Sequence, residues 1–232
     1  MKTAQIVSRR RGAGKSLLTR DAIVSTALEL IRRDGLDGLS LRKVATELAT
    51  GAASLYVHIH DLDELLSLVL DRALAGVRIP RESEHWDKAL EQIVLSYLRA
   101  LFRHPGIARL AVSTIASGPN TLRIMEAILQ LMEKAGCTGE DAAWGTDLML
   151  QFAASTAAEQ SARKEDLLCE ISKVLELIDS VEFPRVYGLR RELLSGGGID
   201  RFLWGHRAIV RGILGEPGKL VKRRVHPKFL KS

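Results

Sequence analysis

Apolar residues recur every three or four positions along most of the chain, and this spacing constrains the fold more than any other feature of the sequence. Such spacing lines up apolar side chains along one side of an α-helix, whereas a half-buried strand requires alternation at every second position. No segment shows sustained alternation of Val, Ile, Thr and aromatic residues. Glycines and prolines divide the periodic segments, so the sequence predicts an all-α protein.

Residues 18–78 are predicted to form an N-terminal three-helix helix-turn-helix domain, whose last part is a longer bracing helix from Leu62 to about Val77. Thr19, Ser40 and Asp61 each stand where a side-chain oxygen can accept a hydrogen bond from the first turn of a helix. The segment Ala49-Thr50-Gly51 interrupts the pattern between two short helices and predicts the turn.

The third helix is predicted over Ala52–His58, with Leu55 and Ile59 turned to the core and small or polar side chains left outward. A short helix that projects from a tight turn can enter the major groove of DNA. Methyl groups on its surface can contact thymine methyls, and a long donor on the preceding helix can reach guanine or a phosphate. The predicted DNA-contacting residues are Arg42, Ala52, Ala53, Ser54, Tyr56, Val57 and His58. The alternative on the same pattern is a three-helix protein-interaction module.

The two ends of the chain are basic and its body is acidic. Residues 1–20 carry six basic groups and no acid, residues 215–232 carry six basic groups and one acid, and residues 21–214 carry 22 basic and 27 acidic groups. A basic arm (1–17) and a basic tail (216–232) can neutralise phosphates and release condensed counterions. The alternative is that both ends serve solubility and have no partner.

A larger helical domain for regulation and dimerisation is predicted over residues 81–215, after a boundary near Pro80. Ala142–Ala158 is apolar nearly all round, and such a helix must be covered on every side. One side can face the protein's own core and another a second subunit, in a four-helix interface with the last helix (Ile199–Leu214). The alternative is burial within a monomer. The predicted dimer contacts are Leu148, Phe152, Phe202, Ile209 and Ile213.

Three stretches together resemble the DNA-binding domain of the tetracycline repressor (TetR) family: Gly38–Ala45, Ser54–Ile59, and Asp61 with Leu65-Leu66. The resemblance covers about residues 18–78 and implies an all-helical homodimeric repressor of a palindromic operator. It places Arg42, Ala52, Ala53 and Ser54 at base-contacting positions, and Tyr56 and His58 at phosphate-contacting ones. Ala49 stands where the family has Gly, so we expect it to need a positive φ that costs about 1 kcal/mol.

A looser resemblance extends to about Gly215 through His104-Pro105-Gly106, Gly118-Pro119-Asn120 and Ile199–Gly205. It implies a cavity among the middle helices for a small-molecule effector that releases the operator. No histidine stands near Val112–Ser113, the position that corresponds to the magnesium site of the tetracycline repressor, which disfavours tetracycline itself as the effector. The expected lining residues are Tyr97, Phe102, Ile115, Asn120, Met125, Trp144, Met149 and Phe152.

Several other functions are disfavoured by the sequence. Gly12–Ser16 ends like a phosphate-binding P-loop, but Arg9 stands where that motif requires Gly. No catalytic triad and no metal-binding cluster is evident, so we expect no enzyme activity, no metal site and no cofactor. The longest stretches without charge have 13 residues, too few for a membrane span, and the two cysteines form no CxxC, which favours the cytoplasm. The alternatives are a P-loop-like nucleotide-binding protein and a DNA-independent helical sensor that acts through protein partners.

Overall fold

The computed structural model describes residues 18–81, 85–103, 106–114, 116–162 and 165–215, and over these residues it contains twelve α-helices and no β-strand. The all-α prediction is confirmed. The basic arm, the basic tail, Gly12–Ser16 and Ile115 lie outside the described residues. None of the described helices is both long enough and apolar enough to cross a lipid bilayer.

Four helices form the N-terminal part of the protein, and local caps fix where three of them begin. The oxygens of Thr19 and Ser40 accept backbone hydrogen bonds at 3.1 and 3.2 Å, and that of Asp61 accepts one from Glu64 at 2.7 Å. Glu64 in turn accepts a hydrogen bond from the backbone N–H of His60, the residue before the cap, at 2.6 Å, an arrangement close to a capping box. The helices are α1 (Arg20–Asp34), α2 (Leu41–Glu47), α3 (Ala52–Leu55) and α4 (Leu62–Ala73).

Eight further helices follow, and the longest of them, α8, lies at the centre. It packs against α5, α6, α7 and α12, because small residues along it allow close approach. For example, a Cβ added at Gly145 would lie 2.8 Å from Cδ1 of Ile213 on α12. The helices are α5 (Trp86–Phe102), α6 (Ile107–Ser113), α7 (Pro119–Lys134), α8 (Gly139–Ala162), α9 (Glu165–Glu176), α10 (Pro184–Gly188), α11 (Arg190–Leu194) and α12 (Gly198–Gly215).

Three boundaries differ from the sequence-based expectation. The α-helical part of the predicted Ala52–His58 helix ends at Leu55, and residues 56–58 continue as turns. The bracing helix α4 ends at Ala73 and passes into a 3-10 turn over Leu74–Gly76. Pro184, one of the prolines expected to divide helical segments, instead opens α10, since the missing N–H of proline is not needed in the first turn of a helix.

Candidate functional site

The turn between α2 and α3 is held by backbone hydrogen bonds around one left-handed residue. Ala49 has φ +49°, as expected from its position in place of glycine. The N–H of Thr50 donates to the carbonyl of Ala45 at 2.9 Å, which closes the C-terminus of α2. Gly51 then precedes α3 in extended conformation, so four residues (48–51) separate the second helix from the third.

The projecting segment buries two side chains and exposes the rest. Leu55 and Ile59 are 0 and 2% exposed in the core of the N-terminal part. Tyr56 and Val57 are 56 and 81% exposed, Ala53 and Ser54 are exposed as well, and Ala52 and His58 are half-buried. An exposed valine and tyrosine side by side are costly to hydrate, which is typical of a contact surface.

Ion pairs on the neighbouring helices leave Arg42 available. Nζ of Lys43 lies 2.7 Å from Oδ2 of Asp34, and Nη1 of Arg33 lies 3.2 Å from Oε1 of Glu47, so both cations brace α1 against α2. Arg42 is exposed and its guanidinium forms no ion pair within the described part of the chain. Its positive charge can therefore be directed to an external anion.

A second feature is a cavity of about 580 Å³ that is lined by residues of α4, α5, α6, α7 and α8 and is partly open to solvent. Leu70 of α4 and Leu74 of the turn that follows it line the cavity, together with Ile124 and Met125 of α7. Tyr97 of α5 also lines it, and burial raises the pKa of this phenol to about 12. The wall is thus mainly apolar, with a neutral hydroxyl that can donate a hydrogen bond.

Of the eight residues expected to line this cavity, Tyr97 and Met125 do so, and Ile115 lies outside the described residues. The other five do not line it. Three of them lie on other parts of their helices, and the remaining two make contacts elsewhere. Met149 is 1% exposed in the core, Trp144 is 59% exposed on another side of α8, and Phe102 is 38% exposed at the end of α5. Phe152 stacks on Phe202 with ring centroids 5.4 Å apart, and the amide of Asn120 is bound to Asp71.

Sequence reasoning missed the polar wall of the cavity. Asp147, Gln151 and Ser155 line it from α8, and Thr121 lines it from the start of α7. The three α8 residues follow one another at intervals of four, so they form a stripe on one side of the helix. A polar stripe on a helix that is otherwise apolar all round is the signal that could have identified them.

One buried carboxylate connects the N-terminal part to the cavity wall. Asp71 of α4 is 5% exposed and accepts hydrogen bonds from the backbone N–H and the hydroxyl of Thr121 at 2.8 and 2.9 Å. It also accepts the side-chain amide of Asn120 at 2.9 Å. Asp71 thereby caps the N-terminus of α7 from another helix, where the helix dipole favours a negative charge. Gly118 is required beside it, because a Cβ there would overlap the carboxylate.

The helices α8 and α12 expose an apolar face on the side away from the core. Trp144, Leu148 and Trp204 are 59, 46 and 75% exposed. Of the predicted dimer contacts, Leu148 belongs to this face, and Phe152 and Ile209 are half-buried. Contrary to expectation, Phe202 and Ile213 are 1 and 7% exposed and pack against α8 of the same chain, so neither is free to meet a second subunit.

Within the described residues no group of three or more His, Cys, Asp or Glu side chains could hold a metal ion. His206 is 2% exposed between α5 and α12, and burial lowers its pKa to about 4. Next to it, Arg207 forms a bidentate ion pair with Glu91, with Nε–Oε1 and Nη2–Oε2 distances of 2.5 and 3.1 Å. This ion pair holds the pKa of the Glu91 carboxyl below its usual range. This arrangement joins α12 to α5 without supplying a catalytic base.

Comparison with known proteins identifies relatives over most of the chain. Residues 79–215 match the family model described as "Tetracyclin repressor-like, C-terminal domain". An HTH-type transcriptional regulator of Saccharopolyspora erythraea is 38% identical over 154 residues, which are 66% of this chain and 65%, or just under two thirds, of that protein. The HTH-type transcriptional repressor DrrR1 of Streptomyces coeruleorubidus is 32% identical over 86% of this chain and 78% of the repressor.

A solved structure shows the same architecture. Apo ActR from Streptomyces coelicolor has a TM-score of 0.80 and 36% identity, over 86% of this chain and 96% of ActR. ActR, itself described as a TetR family protein, has also been solved in complex with actinorhodin, with the same TM-score of 0.80, 35% identity, and coverage of 88% of this chain and 99% of that one.

Proposed function

The chain belongs to the TetR family of helix-turn-helix transcriptional regulators, which are DNA-binding proteins and not enzymes; on that premise we propose that it is a homodimeric repressor that a small molecule releases from a palindromic operator. The observation that carries the proposal is that one helix, α4, belongs to both parts of the molecule. Its Leu65 and Val69 are buried in the N-terminal core, while Leu70 lines the cavity and Asp71 caps α7 at the cavity wall.

The proposed DNA contacts are divided between bases and phosphates. Arg42 with Ala52, Ala53 and Ser54 would meet base edges in the major groove, and Tyr56 and His58 would meet the backbone. Val57, the most exposed apolar side chain of this segment, suits a thymine methyl. A regulator of this kind acts where the DNA is, so the proposal places the protein in the cytoplasm.

The proposed dimer forms through α8 and α12. Trp144, Leu148 and Trp204 leave a large apolar area in water in a single chain, and a second copy related by a two-fold axis would cover it with the same surface. The dimer holds two copies of α3, called here the reading helices. Each contacts one half-site, which accounts for a palindromic operator.

The proposed effector site is the cavity. Its volume of about 580 Å³ lies within the range of about 300–1,000 Å³ that is usual for drug-sized ligands. ActR holds actinorhodin, so a relative of similar architecture accommodates a small organic molecule. A ligand that pushes on Leu70 and Leu74 would shift α4, and with it the reading helices of the two subunits.

The proposal is tested by titrating the full chain onto labelled duplexes from the DNA next to its own gene, with fluorescence anisotropy as the readout. We expect binding with two chains per duplex and a loss of binding to duplex in the Tyr56→Ala, Val57→Ala double variant. Arg99→Ala, which removes an exposed cation of α5, is the matched control and should bind normally. Equal binding by the double variant, or no binding by the unmodified chain, would refute the proposal.

A further inference from the structure

The charges around the cavity are unbalanced. Asp147 of α8 lines it, and no Lys, Arg or His occurs among its lining residues in the described part of the chain. The remaining polar groups of the wall are hydroxyls and one amide, including those of Ser113, Thr121 and Gln151. Tyr97, with its pKa raised to about 12 by burial, is neutral at physiological pH. The wall therefore carries a formal charge of one negative unit.

The carboxylate of Asp147 is held in place and keeps one oxygen available. Nε2 of Gln151, one turn further along α8, donates to Oδ2 of Asp147 at 2.5 Å. The second oxygen, Oδ1, accepts no hydrogen bond from the described residues. A side-chain amide that holds one carboxylate oxygen limits the rotation of the other, so Oδ1 can serve as an oriented acceptor.

A candidate counter-charge on α7 is committed elsewhere. Arg123 of α7 is exposed and its guanidinium donates to the carbonyl of Val77 at 3.1 Å, outside the cavity lining. An anionic ligand would therefore lose water on entering the cavity and meet no cation there, which is unfavourable. A cationic ligand would keep its hydroxyl partners and gain the attraction of Asp147.

From this arrangement we infer that the cavity selects a largely apolar molecule with a cationic nitrogen group over the same skeleton bearing a carboxylate. The inference rests on the proposed function, since it specifies the chemical class of the effector for the same cavity. The cationic group would face Asp147 and Gln151 on α8, and the apolar skeleton would lie against Leu70, Leu74 and Ile124. Because the Asp147 side chain is exposed to solvent at the rim of the cavity, its charge is screened and the preference is moderate.

The test compares two dyes that share a xanthene skeleton, cationic rhodamine 123 and anionic fluorescein. Their affinities for the full chain are measured by fluorescence polarisation at neutral pH. We expect rhodamine 123 to bind about ten-fold more tightly than fluorescein. Asp147→Asn keeps the shape of the side chain and removes its charge. The ratio of the affinity for rhodamine 123 to that for fluorescein should therefore fall to about two-fold or less. Gln151→Glu adds a charge to the same wall and should raise the ratio.

Asp87→Asn is the matched control, because Asp87 is an exposed acid of α5 that does not line this cavity. It should leave the ratio of affinities unchanged. Equal affinity for the two dyes, tighter binding of fluorescein, binding of neither dye, or a ratio that Asp147→Asn leaves unaltered would each overturn the inference.

Operator binding, measured on the same preparations, separates this inference from the proposed function. Normal operator binding without a charge preference refutes the cationic ligand class alone. A charge preference that depends on Asp147, in a protein that binds no duplex, refutes the repressor and leaves the ligand class intact.

Discussion

Replacing Asp71 by Asn changes the connection between α4 and α7 at one atom. The carboxylate accepts three hydrogen bonds of 2.8 to 2.9 Å, from the N–H and hydroxyl of Thr121 and from the side-chain amide of Asn120. An Asn side chain keeps one acceptor oxygen and turns an NH₂ donor toward groups that are themselves donors. It also removes the negative charge from the N-terminus of α7.

The size of the effect follows from burial. Hydrogen bonds to a charged group contribute about 1.5–3 kcal/mol each, and a buried donor left without an acceptor costs about 1–3 kcal/mol. Loss of the favourable charge at a partly buried helix N-terminus adds about 1 kcal/mol. Since Asn retains one of the two acceptors, we expect Asp71→Asn to lower the free energy of unfolding by about 3 kcal/mol. A protein with a typical stability of about 5–15 kcal/mol remains folded after such a loss.

Two assays measure this effect. Urea unfolding at fixed protein concentration gives the stability, and operator affinity with and without an effector gives the coupling between the cavity and α4. Because Asp71 ties α4 to the cavity wall, we expect the variant to bind an effector and to respond less, with a ratio of the two operator affinities closer to one. Asp87→Asn, at an exposed position of α5, is the control and should stay within about 0.5 kcal/mol of the unmodified chain. Unchanged stability together with an unchanged ratio would refute the coupling role of Asp71.

Four further predictions concern the helix-turn-helix unit, the core and the basic arm. Arg42→Ala should cost about 1–3 kcal/mol of operator binding and relax the preference at one base pair, whereas an equal loss on every sequence would assign Arg42 to a phosphate. Ala49→Gly should raise the free energy of unfolding, measured in urea, by about 0.5 kcal/mol, because the gain from relieving the left-handed strain exceeds the cost of the freedom of glycine in the unfolded chain. Ala53→Gly, on α3, is the control and should lower the free energy of unfolding. With the pKa of His206 lowered to about 4 from 6.5, the unfolded chain takes up the proton first as the pH falls. Stability should therefore decrease between pH 6.5 and about 4, on the order of 3 kcal/mol, and this slope should be flatter in His206→Leu. Deletion of residues 1–15 should weaken operator binding and flatten its dependence on salt, and an unchanged slope would contradict a phosphate-binding arm.

Features fixed by neighbouring residues were predictable from the sequence. The caps at Thr19, Ser40 and Asp61 depend on contacts within one helical turn, and each is confirmed by a hydrogen bond of the kind expected. The positive φ of Ala49 follows from the turn in the same way. The all-α class follows from periodicity summed over many segments, so errors at single boundaries do not alter it.

The cavity lining was predicted less well, because it depends on the rotation of α8 about its own axis. This helix is apolar on nearly every side, so the stripe of Asp147, Gln151 and Ser155 is the one weak indication of its rotation that the sequence supplies. Contacts made far along the chain decide it: Phe152 stacks on Phe202 of α12, and the neighbouring stripe that contains Asp147 then lies along the cavity. Asp71 was missed for a related reason, since its partners lie about 50 residues further along the sequence.

The most direct test of the account is a selection of duplexes from a random pool by the purified full chain, followed by sequencing and by the mass of the complex in solution. We predict enrichment of one two-fold symmetric sequence, bound by two chains whose reading helices contact equivalent half-sites. A pool that shows no enrichment, or an asymmetric sequence bound by a single chain, would contradict the central claim.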